Sequence, residues 1–131
     1  MHTREAALRW AHTWTAAWEG QDAEAIVALQ AEDGVHWSSP FRAPCEGRAG
    51  LRKYLQDVFA AEIEPTRARF AEPVVDDDQA TVEYWALSRY DSGPLTISGC
   101  TVLRFDSDGL VIESRDYSFV ESGHHPSPFG W

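Results

Sequence analysis

Two carboxylates in this chain stand where they could move protons: Glu83, in the run TVEYWALSRY, and Asp116, in VIESRDYSF. Each lies among aromatic and aliphatic residues, on a segment that alternates with a period of two. A carboxylate enclosed by such side chains loses the solvation of its charged form, and its pKa climbs toward neutrality. That is the condition for general acid–base chemistry at pH 7. Two carboxylates close together would titrate as one pair. The competing uses are an ion pair between Asp116 and an arginine, and a solvated Glu83 at a rim, the usual place for glutamate.

The second chemical feature is a set of six tryptophans, at positions 10, 14, 18, 37, 85 and 131. Tryptophan fills cores and also lines pockets for organic ligands. Other constellations are weak. His124 and His125 are adjacent, a poor geometry for holding one metal. Asp106 to Gly109 lacks the repeated oxygen spacing of a calcium loop, with Arg104 where an aspartate is needed. Cys45 and Cys100 show no metal spacing and read as reduced thiols, and a Cys45–His36 pair has no positional support. No glycine-rich phosphate loop or nucleophile elbow occurs. No metal and no cofactor is expected.

The elements that must carry these residues follow from periodicity. Residues 4–19 read as a helix that Thr3 caps and Gly20 ends, with Ala7, Trp10, Ala11, Trp14 and Trp18 on one face. Asp22 caps a second helix, with Ile26 and Leu29 inward, which Asp33-Gly34 stops. Residues 35–39 form a short strand. A third helix begins near Arg48 and buries Leu51, Tyr54, Leu55, Val58 and Phe59. From Thr66 onward the period is two, predicting strands over 66–75, 79–90, 95–105 and 110–121, separated by Asp/Gly/Pro/Ser turns. Short turns make these strands antiparallel, and the helices must then cover one face of the sheet. The fold class is α+β in a single domain over 1–131. Alternation sorts residues by face, Thr81, Glu83, Trp85 and Leu87 against Val82, Tyr84 and Ala86, but does not say which face is concave.

Composition excludes several classes. The 21 acidic and 11 basic residues give a formal charge of −10. That balance repels phosphates and anionic lipid, so nucleic acid and membrane partners are not expected. There is no long apolar run and no signal-like N-terminal segment, which leads to an expectation of a cytoplasmic protein.

Three stretches resemble one superfamily. AWEGQDAEAIVALQAEDG (17–34) is similar to the second-helix signature of the SnoaL-like, nuclear transport factor 2-like families. SPFRAPCEGRAGLRKYL (39–55) resembles their strand–loop–helix junction, and DGLVIESRDYSF (108–119) their last strand. The resemblance implies a cone: three N-terminal helices packed on a curved antiparallel sheet around an apolar pocket. It implies that the faces bearing Glu83, Ile97 and Asp116 turn inward. The pocket would then be lined by Trp14, Trp18, Trp37, Ser39, Phe41, Tyr54, Trp85 and Ile97, with Asp116 and Glu83 as catalytic acid–base groups. It further implies a small apolar organic ligand and a homodimer through the sheet, whose outward Val82, Tyr84, Tyr117 and Phe119 would form the interface.

Within the superfamily, fold does not fix function. For epoxide hydrolases, Asp116 matches one of the two aspartates and Glu83 falls near the other. Thr81, however, stands at the arginine, and Trp37 and Ser39 stand where a tyrosine and an asparagine hold the water, which disfavours that reaction. For ketosteroid isomerases, Ser38 to Phe41 offers no carboxylate base, and Trp10, Trp14 and Trp18 replace the helical tyrosine. For the SnoaL-type cyclases, Asp116 carries over as the last-strand acid–base. The expectation is a cofactor-independent isomerase, cyclase or lyase. The alternatives are a non-catalytic ligand binder and a dimerisation module.

Overall fold

A computed structural model describes residues 1–131. Helix α1 (Thr3–Gly20) turns its alanine and tryptophan stripe inward, burying Ala6, Ala7, Trp10, Ala11, Ala17 and Trp18. Its last turn is closed by Gln21, in the left-handed region at φ 52°, so Gly20 is not the terminator. Thr3 is inside the helix, and its hydroxyl donates to the Asp77 carbonyl at 2.7 Å. Helix α2 (Ala23–Val27) is capped by Asp22, whose carboxylate accepts the Ala25 amide at 3.1 Å.

Strand β1 (Gln30–Trp37) starts earlier than the Asp33-Gly34 signal suggests, and that pair lies inside the strand at a register shift. A side chain at residue 34 would stand 2.6 Å from the Val111 carbonyl, so glycine there serves close strand approach rather than a helix stop. A two-residue strand, β2 (Cys45–Glu46), leads into helix α3 (Gly47–Ala61), which buries Leu51 and Leu55. The expected 66–75 strand is divided into β3 (Glu64–Phe70) and β4 (Val74–Asp76), with Pro73 in the break. Then come β5 (Gln79–Tyr90), β6 (Gly93–Phe105) and β7 (Val111–Ser122).

The sheet runs β2-β1-β7-β6-β5-β3, with β4 also on β5. It is mixed rather than wholly antiparallel, because β1 lies parallel to β7. The antiparallel expectation follows from short turns between neighbours. β1 and β7 are joined by most of the chain, so no turn constrains their direction.

The face of β5 that turns inward is opposite to the one the resemblance implied. Val82 is 0% and Tyr84 5% exposed, while Glu83 is exposed. A two-residue turn sets Tyr90 opposite Gly93, and pairing runs unbroken from there to Gln79 opposite Arg104. Even residues of β5 therefore share a face with odd residues of β6, and Glu83 pairs with Cys100 on the outer side. Thr101 opposite Asp116 continues the inner face onto β7, so Ile97 and Asp116 point inward as expected. Glu83 therefore stays off the inner face, although both it and Asp116 border an open hollow of about 600 Å³ on the other side of the sheet.

Candidate functional site

Helices α1 and α3 close over the concave face of the sheet and leave a cavity of about 70 Å³ that opens partly to solvent. The scale is about half of the roughly 150 Å³ that admits benzene in an apolar protein interior. A ligand is therefore small or protrudes through the opening. Trp10, Trp14, Trp18, Phe70 and Tyr84 form a closed circuit of neighbouring rings, with centroid separations from 5.4 to 6.0 Å. All five line the cavity, with Tyr54 and Phe59 from α3. The polar wall consists of Gln30, His36, Thr101, Ser114 and Asp116, and no arginine or lysine contributes.

Asp116 is the one carboxylate in this wall. Its Oδ1 accepts the Tyr84 hydroxyl at 2.7 Å and the Thr101 hydroxyl at 3.4 Å. Burial raises its pKa, and hydrogen bonds from Tyr84, Ser118 and Thr101 pull the other way. It makes no ion pair. Arg115 approaches Glu113 instead, at 3.8 Å. Burial first, and then Asp116, hold the Tyr84 phenol far above its ordinary pKa, so it stays a proton donor to the carboxylate.

Glycine 99 makes this contact possible. Tyr84 faces Gly99 across the β5–β6 ladder, and a side chain at 99 would fall within the phenol ring. The ring crosses β6 over the glycine to reach β7. Gly99→Ala should destabilise the chain by about 1–3 kcal/mol, the range for overpacking a filled core, as read from urea denaturation. An unchanged midpoint would show that Tyr84 can occupy another seat.

A second polar group faces the same cavity. His36 Nδ1 lies 2.7 Å from Ser114 Oγ, and its ring centroid is 5.4 Å from that of Tyr54. Burial lowers the His36 pKa to about 4, so the imidazole is neutral at pH 7. Burial first, and then Asp116, push the Tyr54 phenol up to about 12, and its hydroxyl has no hydrogen-bond partner. Cys45 stands opposite His36 between β1 and β2. Burial raises its thiol pKa and no hydrogen bond joins the two, the reverse of an activated thiolate–imidazolium pair.

The structure thus brings Asp116, Trp14, Trp18 and Tyr54 to this cavity, while Glu83, Ser39 and Phe41 line the second, open hollow of about 600 Å³ that Asp116 also borders. Glu83 and Trp85 lie on the outer face of β5. The Trp85 indole donates to the His125 carbonyl at 2.8 Å and its ring meets Phe129, which docks the C-terminal tail there. Trp37 shares the outer side with Arg115, because it is His36 that turns inward on β1. Phe41 is 94% exposed, and the Ser39 hydroxyl accepts the Phe41 amide in the same loop. Ile97 is on the concave face but packs against the Trp18, Tyr84 and Ala86 cluster without reaching the cavity. The polar site residues not foreseen are Gln30, His36, Thr101, Ser114 and Tyr84. Alternation groups His36 apart from Trp37 and puts Ser114 with Asp116, so only the choice of face was missing. Of the four residues expected at an outer-face interface, Val82 and Tyr84 are buried, and Tyr117 and Phe119 are exposed, the latter 83%.

Residues 11–114 match the sequence profile of the SnoaL-like domain, and the chain belongs to that family, within the nuclear transport factor 2-like superfamily. No curated protein sequence matches it. Among solved structures, it is similar to a hypothetical protein with a ketosteroid isomerase-like fold from Catenulispora acidiphila DSM 44928, in complex with trimethylamine (TM-score 0.71, 23% identity, 81% of this chain and 82% of that one). It is also similar to the epoxide hydrolase/cyclase-like enzyme SalBIII of pyran ring formation in salinomycin (TM-score 0.77, 15% identity, 92% and 95%). A third is the pinacolase BvnE from Penicillium brevicompactum (TM-score 0.74, 19% identity, 89% and 88%). Identities this low speak to the fold. No helix is long and apolar enough to cross a membrane.

Proposed function

We propose that the cavity binds a small, mostly apolar organic molecule and that Asp116 transfers a proton on it, in an isomerisation, cyclisation or dehydration. The observation that carries this reading is a carboxylate facing an aromatic cavity with no cation to neutralise it. Burial raises its basicity, and the Tyr84 and Thr101 hydroxyls fix its orientation. Ionised Asp116 takes a proton from substrate carbon or hydroxyl, and protonated Asp116 returns one to another substrate atom. Electrons are redistributed within the substrate, so the cycle needs no oxidant or reductant. The free, protonated Tyr54 hydroxyl is placed to donate to a substrate oxygen. Glu83 has no part in this scheme. The cyclase-like and pinacolase activities of the similar structures, and the small organic molecule bound to another, accord with this reading.

A second reading is a non-catalytic binder, favoured by the fact that Asp116 Oδ1 already has two protein donors. Deuterium exchange into cyclopentanone in D₂O, followed by proton NMR, separates the two. The acid–base reading expects exchange above the buffer rate in the wild type and its loss in Asp116→Asn. Saturable binding with exchange at the buffer rate would leave the binder reading in its place.

A further inference from the structure

His36 presents one ring nitrogen to the cavity, and its neighbour Ser114 decides whether that nitrogen carries a proton. His36 is 7% and Ser114 4% exposed. Their parallel pairing across β1 and β7 brings Nδ1 to 2.7 Å from Oγ. Nε2 makes no hydrogen bond, and both residues line the cavity. Two neutral tautomers fit this contact, and proton counting separates them. With the hydrogen on Nδ1, the ring donates to Oγ. The serine hydroxyl hydrogen is then buried without an acceptor, because Oγ has no other partner. With the hydroxyl donating to Nδ1, the one hydrogen left over is Nε2–H, on the cavity wall. A buried donor needs a partner, so the arrangement that leaves its free donor facing the ligand space is favoured.

Resting on the reading of this cavity as a ligand site, we propose that Ser114 is a positioning residue that locks His36 as the Nε2–H tautomer, and that this N–H holds the oxygen of an uncharged carbonyl compound. Ser114 and Asp116 are two residues apart on one face of β7, so their backbones are separated by roughly 7 Å. Donor and base therefore flank a ligand only a few atoms long. It has a carbonyl oxygen toward His36 and a proton-bearing carbon toward Asp116. A carboxylate ligand would meet Asp116 with no arginine or lysine in the wall to offset the repulsion.

The test uses the full chain labelled with nitrogen-15 histidine. Long-range proton–nitrogen NMR at pH 7 is expected to show a protonated Nε2 and a bare Nδ1 for His36. In titrations, cyclopentanone should bind at least about tenfold more tightly than methylenecyclopentane, its shape analogue without oxygen. Ser114→Ala should lose most of that preference, and Ser114→Thr, which keeps the hydroxyl, should retain it. A wild-type ring protonated on Nδ1 overturns the proposal without any variant, and so does an unchanged ketone preference in Ser114→Ala. Equal binding of the two probes removes the carbonyl assignment while the cavity remains a ligand site. Absence of binding by both removes the cavity reading and this proposal together.

Discussion

Asp116→Asn should lower the exchange of cyclopentanone protons by a factor of about 10² to 10⁴, the usual contribution of a positioned general base, and should raise the melting temperature at neutral pH. The amide has nearly the carboxylate's shape, and its oxygen can still accept the Tyr84 and Thr101 hydroxyls. It cannot take a proton from carbon. The stability gain follows from linkage. Burial raises the folded-state pKa of Asp116 above its ordinary 3.8. The folded chain therefore holds that proton more tightly than the unfolded chain, and its stability falls as pH rises through the window from 3.8 to the raised value. Above that window the native state carries an ionised, poorly solvated carboxylate, and the asparagine removes this penalty. The difference between the two proteins should be greatest at pH 7.5 and should vanish near pH 3. Thermal unfolding at both values checks it. A lower melting temperature for Asp116→Asn at pH 7.5 would mean that the carboxylate is held for stability, and the acid–base reading would lose its main support. Gain of stability with loss of turnover is the pattern of a group retained for function.

How far the site could be read from the sequence was decided by single residues. The inward stripe of α1, the Asp22 cap and the strands β5 to β7 are local matters, fixed by side-chain spacing and turn residues, and the structure has them. The concave placement of Asp116 came from resemblance and holds. The placement of Glu83 did not, although the sequence contains the correction. A turn of two residues at Asp91-Ser92 puts Tyr90 opposite Gly93, and counting back makes Tyr84, not Glu83, the neighbour of Gly99. Gly99 then has a reason, since it is the gap over which Tyr84 reaches Asp116. What could not be read is the parallel pairing of β1 with β7. It brings His36 to Ser114 across a separation that no turn or periodicity records, and it swaps His36 for Trp37 on the cavity wall. A contact between residues distant in sequence is settled by how the whole sheet closes, so that half of the site emerges only in three dimensions.

Acid should unfold this protein partly through His36. Its ordinary pKa of 6.5 falls to about 4 in the folded chain because burial disfavours the imidazolium. The unfolded chain binds the proton first as pH falls, so stability is full above 6.5 and drains away between 6.5 and about 4. A difference of about two and a half pH units, at 1.36 kcal/mol each, amounts to about 3 kcal/mol, a large share of what holds a small domain folded. Asp116, shifted the other way, opposes this loss toward the acid end of the window. Glu24, whose pKa is lowered by its hydrogen bond to Arg52, adds an acid-sensitive contact at the surface, common to any variant compared. Urea denaturation of the wild type and His36→Gln at pH 7, 6, 5 and 4 isolates the histidine. The wild type should lose stability more steeply, and the two curves should converge as pH falls. Parallel curves would mean that the imidazole takes up its proton in the native cavity without strain. A charged ring there would sit close to Tyr54 and share the wall with Asp116. It would attract the carboxylate and make it a weaker base. Only a neutral His36 leaves Asp116 as the sole charge facing a ligand, so the acid limb of the stability curve and the basicity of Asp116 rest on the same buried ring.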